Sequence, residues 1–101
     1  TIVEPGVFAT DFSGRSMQIA QRLEEYAPIH EATQKSFGTL KPGDPVKAVK
    51  AIIQMANRSN PPVHFPVGSD ASFGIRETLS NRIKEIKEWE HLSLHTAFEE
   101  E

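Results

Sequence analysis

Thr1-Ile-Val-Glu-Pro-Gly-Val-Phe-Ala-Thr-Asp-Phe12 is the stretch on which the fold of this chain turns. Ile2 and Val3 are β-branched and run into Pro5-Gly6, so Thr1–Glu4 is expected to be the end of a strand. Gly6 allows backbone angles that other residues avoid and lets another group approach the main chain closely. Loop is expected from there to about Ser13, with Thr10 offering one well-placed hydroxyl or a helix N-cap.

Working outward, residues 15–26 carry Met17, Ile19, Ala20, Leu23 and Tyr26 at i, i+3 and i+4 spacings, with Arg22, Glu24 and Glu25 between them. That pattern predicts a helix, stopped by Pro28. A second short helix is expected over 29–37, ending at Gly38. Weak caps and scattered apolar residues make the whole region an excursion from the core.

Punctuation is stronger further on. In Lys41-Pro-Gly-Asp-Pro45, Asp44 suits an N-cap and Pro45 the first helical position. The helix is expected to continue through Val46, Val49, Ile52, Ile53 and Ala56, a wide apolar face for packing on a sheet, until Arg58-Ser-Asn-Pro-Pro62 ends it. Val63-His-Phe-Pro-Val67 reads as a second strand. Pro66 cannot donate to a ladder, which puts that strand at an edge or ends it there. Ser69 or Asp70 is expected to cap a last helix with the stripe Ile75, Leu79, Ile83, Ile86 and Trp89 and with exposed pairs such as Lys84–Glu88. The tail from Leu92 is expected to fray. A strand–helix–strand order predicts a parallel pair in an α/β fold.

The bulk numbers limit the function classes. A chain of 101 residues fits one small domain. A net charge of −3 gives no general affinity for nucleic acid or an anionic membrane surface. There is no cysteine, which removes disulfides, thiolate metal sites and cysteine nucleophiles. No apolar run approaches the roughly 20 residues of a membrane span. His91 and His95 would share a helix face near Glu90, but no third ligand accompanies them, so a solvated helix end is expected and no metal site. His30 and His64 are isolated, and His64 is expected to point away from Val63, Phe65 and Val67.

With these residues in view, the chain resembles the short-chain dehydrogenase/reductase family. Val3-Glu-Pro-Gly-Val-Phe-Ala-Thr10 is similar to that family's Pro-Gly-x-x-x-Thr segment. Gly43-Asp-Pro45 with Lys47-Ala48 and Ala51-Ile-Ile53 resembles its late helix. Asn60-Pro-Pro62 and Gly68-Ser-Asp-Ala71 resemble its last strand and following turn. Trp89-Glu, Ser93 and Thr96-x-Phe98 resemble the tail of a bacterial-type subgroup of unassigned substrate. The likeness spans residues 1–101 in order.

The resemblance implies the C-terminal part of a Rossmann-like, doubly wound parallel sheet, in the order strand, helical lid, helix, edge strand, helix. It implies hydride transfer between NAD or NADP and an alcohol or carbonyl. It also implies that Pro5, Gly6, Val7 and Thr10 face the cofactor, with the Val7 backbone and the Thr10 hydroxyl meeting the nicotinamide carboxamide or phosphates. Residues 12–40 match the family's substrate lid, where Phe12, Met17 and Tyr26 would line the substrate pocket, although their spacing suits plain packing equally well. The family's Gly-rich phosphate turn, catalytic Asn and Ser, and Tyr-x-x-x-Lys pair have no counterpart here; Tyr26 is followed four residues later by His30. No catalytic residue is therefore expected on this chain. A start in mid-strand without Met suggests the C-terminal portion of a longer cytoplasmic, homo-oligomeric enzyme, inactive by itself and completed by the remainder of the fold. A different class of reading is a non-catalytic helical module that binds a partner through its amphipathic helices.

Overall fold

A computed structural model describes residues 1–100. Strand β1 covers Ile2–Pro5 and strand β2 covers His64–Val67. They pair in parallel with Ile2 opposite His64, Val3 opposite Phe65, Glu4 opposite Pro66 and Pro5 opposite Val67. Ile2 N donates to Val63 O at 2.7 Å and Gly6 N to Val67 O at 2.8 Å. The carbonyls of Val63 and Val67 therefore point at β1. Pro66, in alternate register, turns its missing N–H toward the free edge, so it sits in the strand without breaking the ladder.

The connection between the strands holds two helices. Helix α1 is Ala27–Gly38 and helix α2 is Pro45–Ala56. Asp44 caps α2 as its sequence predicts: its Oδ1 accepts from Val46 N at 2.8 Å and Lys47 N at 3.4 Å. Helix α3, Ser69–Ser93, follows β2 directly through Gly68. Helices α2 and α3 both touch β2. The small core lies there, with Met55 of α2 and Val67 of β2 buried.

The chain departs from its sequence reading in four places. The helix expected over 15–26 is absent: short 3-10 turns at Asp11–Ser13 and Glu24–Tyr26 flank irregular backbone. Met17, Ile19 and Leu23 meet no apolar surface and are exposed, and a short helix without such a surface is marginal in water. Pro28 starts α1 instead of stopping a helix, since its missing N–H costs nothing in the first turn. Neither Ser69 nor Asp70 caps α3 with its side chain; the cap position is Gly68. Finally, the Lys/Arg–carboxylate pair closed among the described residues is Asp11–Arg15, with His64 hydrogen-bonded to Glu4, so Lys84–Glu88 is not closed. Exposed pairs return little for ordering two long side chains.

The apolar face of α2 is split. Ala48, Ala51, Ile52 and Met55 turn inward, while Val46, Val49 and Ile53 stay exposed. Along α3, Ala71 and Ile75 are half-buried near the sheet, whereas Leu79, Ile83, Ile86 and Trp89 are exposed. A two-stranded sheet is too narrow to cover both helices. The radius of gyration, 20.3 Å, agrees; a compact domain of this length would have about 13 Å.

Candidate functional site

The geometry that stands out is the junction where β1 ends. After Pro5 the backbone turns through Gly6 and Val7 and is held from two sides. Val7 N donates to Asp70 Oδ2 at 2.7 Å, tying the turn to the first turn of α3. Val7 O accepts from Gly43 N at 2.8 Å, and Ala9 N donates to Gly43 O at 2.9 Å. These two bonds form a short parallel bridge between Phe8 and Gly43, just ahead of the Asp44 cap. The Phe8 ring lies against Gly43 and reaches toward Gly68.

Two glycines permit this arrangement. A Cβ on Gly6 would overlap the Asp70 carboxylate. Gly68 has φ +108°, a conformation that disfavours side chains, and a Cβ there would stand 2.7 Å from Asp70 Oδ1. The Val7 N–H holds the Asp70 carboxyl below its ordinary value of 3.8, with help from the amides of Ala71 and Asp70 itself, against partial desolvation that pushes upward.

The sequence-predicted residues separate into two groups. Pro5, Gly6 and Val7 lie at the junction. Both Val7 backbone groups are engaged within the chain, its N–H by Asp70 and its carbonyl, on one lone pair, by Gly43. The neighbouring Phe8 N–H makes no hydrogen bond among the described residues. Thr10 sits on the exposed side of the loop, where its Oγ1 accepts from Phe12 N at 3.4 Å and its hydroxyl proton is free to donate. Phe12, Met17 and Tyr26 are all exposed, at 77%, 41% and 50%.

An open cleft of about 430 Å³ lies beside the junction, lined by Glu4–Val7, by Asp70, Ala71, Gly74 and Ile75 of α3, and by Phe37 and Leu40. Phe12, Met17 and Tyr26 do not line it. The end of the 12–40 segment thus reaches the Pro5–Val7 turn through Phe37 and Leu40, which the sequence reading passed over. Their spacing of three residues, just ahead of Lys41-Pro-Gly43, was the available signal.

Among the described residues, the titratable side chains lining this cleft are the carboxylates of Glu4 and Asp70, each engaged in a bond. Glu4 Oε1 pairs with His64 Nδ1 at 3.2 Å on the exposed side of the strands. His91 Nδ1 faces the Glu88 carbonyl at 3.1 Å and His95 Nδ1 the His91 carbonyl at 2.6 Å, so both rings face backbone carbonyls at the end of α3. Among the described residues no group of three metal-type side chains comes together, and no helix is long and apolar enough to cross a membrane.

The donors without a partner at the junction are the Phe8 N–H and the Thr10 hydroxyl; Val7 O, on the opposite side of the Val7–Phe8 peptide, is directed at Gly43 N. Nothing at the junction resembles a diphosphate cradle.

No protein-family model matches the chain. Oxidoreductase BOA17 of Botryotinia fuckeliana is 29% identical over 101 residues, an alignment that covers 96% of this chain and 36% of the relative. A crystal structure of a short-chain dehydrogenase from Streptomyces avermitilis superposes with a TM-score of 0.75 at 31% identity, covering 94% of this chain and 35% of that one. The chain thus spans about a third of the length of these relatives. Its likeness to a short-chain dehydrogenase extends in both sequence and backbone over nearly all of its residues.

Proposed function

We propose that this chain is the C-terminal span of an NAD(P)-dependent oxidoreductase of the short-chain dehydrogenase type, acting between a nicotinamide cofactor and an alcohol or carbonyl. The cofactor supplies or accepts the hydride. The chain's own part is positional: Pro5, Gly6 and Val7 form the turn that faces the nicotinamide, and the Phe8 N–H and Thr10 hydroxyl, as donors, fix which way the carboxamide points. Orientation of that group decides which ring face meets the substrate. Residues 12–40 contribute the substrate-side cover, with Phe12, Met17 and Tyr26 reaching substrate once the remainder of the fold is in place. The acid–base groups and the diphosphate site belong to that remainder. The exposed faces of α2 and α3 are surfaces for it and for a second copy of the enzyme.

The observation that carries this reading is the junction itself, a Pro-Gly turn locked from two sides on a backbone that superposes on a short-chain dehydrogenase with a TM-score of 0.75. Backbone NMR of the chain with NADH or NADPH at millimolar concentration tests it. Resonances of residues 6–10 are expected to shift, and adenosine diphosphate ribose, which lacks the nicotinamide, should leave them in place. Shifts confined to other residues would contradict the reading. Hydride turnover by the 101-residue chain alone would contradict its catalytic incompleteness.

A further inference from the structure

We propose that Asp70 is a positioning residue for the Gly6–Thr10 loop: its carboxylate holds Val7 N–H, and Gly6 and Gly68 lack side chains because the carboxylate fills the space those would take. The inference rests on reading that loop as cofactor-facing, and it adds a residue 63 positions away that sets the loop's shape.

Three observations converge on it. Asp70 stands where the local pattern calls for a capping or first-turn carboxylate, yet no side chain caps α3. Its Oδ2 reaches across to Val7 N at 2.7 Å instead. The two nearest backbone segments both yield to it, Gly6 by close approach and Gly68 by close approach together with φ +108°. A glycine at only one of these places would be ordinary; glycines on both sides of one carboxylate describe a pocket for it. The consequence is a division of labour in the loop. With Val7 N–H committed to an internal anion, that amide cannot swing outward, and the ligand-facing donors are reduced to Phe8 N–H and the Thr10 hydroxyl. A carboxylate can make this bond at no entropic cost to a long side chain, since Asp has a short stem and lies in a helix.

Backbone NMR of the full chain tests the assignment, using wild type, Asp70→Asn and Asp70→Ala. In wild type the Val7 amide proton should move as pH falls below 3.8, following the carboxylate it serves. The Glu4→Gln variant should titrate identically at Val7, because Glu4 is the other carboxylate lining the cleft. Exchange of the Val7 amide should be about tenfold or more faster in Asp70→Ala. Asp70→Asn, whose side-chain oxygen can still accept, should restore much of the protection. The NADH-induced shifts at Phe8 and Thr10 should fall in Asp70→Ala and return in Asp70→Asn. A merely structural role would not give this split, since it would alter resonances throughout α3. A Val7 amide that ignores pH below 3.8 in wild type would overturn the clamp even if both variants failed to fold. A folded Asp70→Ala chain with unchanged NADH shifts would overturn the positioning role. If NADH moves nothing in residues 6–10 of wild type while Val7 still titrates, the cofactor reading fails and takes the positioning role with it, but the clamp stands.

Discussion

Between Gly6 and Ala9 the backbone is bonded to Val67, Asp70 and Gly43, all at least 34 residues away. Between Asp11 and Tyr26 every hydrogen bond found among the described residues reaches no further than five positions. The two stretches are neighbours in sequence and both carry apolar residues, yet one is fixed and the other lies exposed along its length. The difference is one of partners. The junction gathers three elements on one turn, so each bond it makes is supported by the others. The 11–26 stretch has only itself to fold against, and its apolar residues gain nothing from a helix that would bury none of them.

Gly6→Ala attacks the fixed side of this comparison most directly. The new methyl overlaps the Asp70 carboxylate, so either the Val7 bond or the β1–β2 register must give way. A loss of roughly 1–3 kcal/mol is expected in urea unfolding of the chain. Acid acts on the same bond without a substitution. Because the folded Asp70 carboxyl is held below 3.8, its contribution is complete above that value and is lost as pH falls through its lowered folded value. Acid unfolding of Asp70→Asn should therefore lack the portion that wild type loses in that range. Asp44→Ala removes the two bonds that start α2 and should cost about 1 kcal/mol. On the exposed side, Phe12→Ala, Met17→Ala and Tyr26→Ala should each change stability by no more than about 0.5 kcal/mol. A larger effect from any of the three would mean that this stretch packs against something and would erase the contrast.

How much of this was legible in the sequence follows the same line. Asp44-Pro45 specifies a helix start by chemistry confined to four residues, and the start is where it was read. Pro66 announces an edge through one missing N–H, and it faces the free edge of the sheet. Parallel pairing of the strands followed from their order with helices between. The Met17–Tyr26 stripe misled because periodicity reports which residues would share a face, not whether anything waits to cover it. Pro28 was read as a stop, whereas the same missing N–H serves equally well in a first turn. Asp70 was the instructive miss. Everything within four residues of it fits a helix cap, and its true partner, Val7, lies 63 positions earlier. The site's turn was therefore visible as Pro5-Gly6, but the group that holds it was not, and neither were Phe37 and Leu40 beside the cleft.

We propose that this chain performs the nicotinamide-orienting part of a short-chain dehydrogenase. Exchanging it for the matching span of the Streptomyces avermitilis enzyme tests that claim most directly, by steady-state kinetics of the chimera with and without Thr10→Ala. The account predicts a chimera that turns over a nicotinamide cofactor, and a Thr10→Ala variant whose KM for that cofactor rises by about tenfold, the loss of one hydroxyl hydrogen bond. A chimera that melts like its parent enzyme yet binds no nicotinamide cofactor would contradict it.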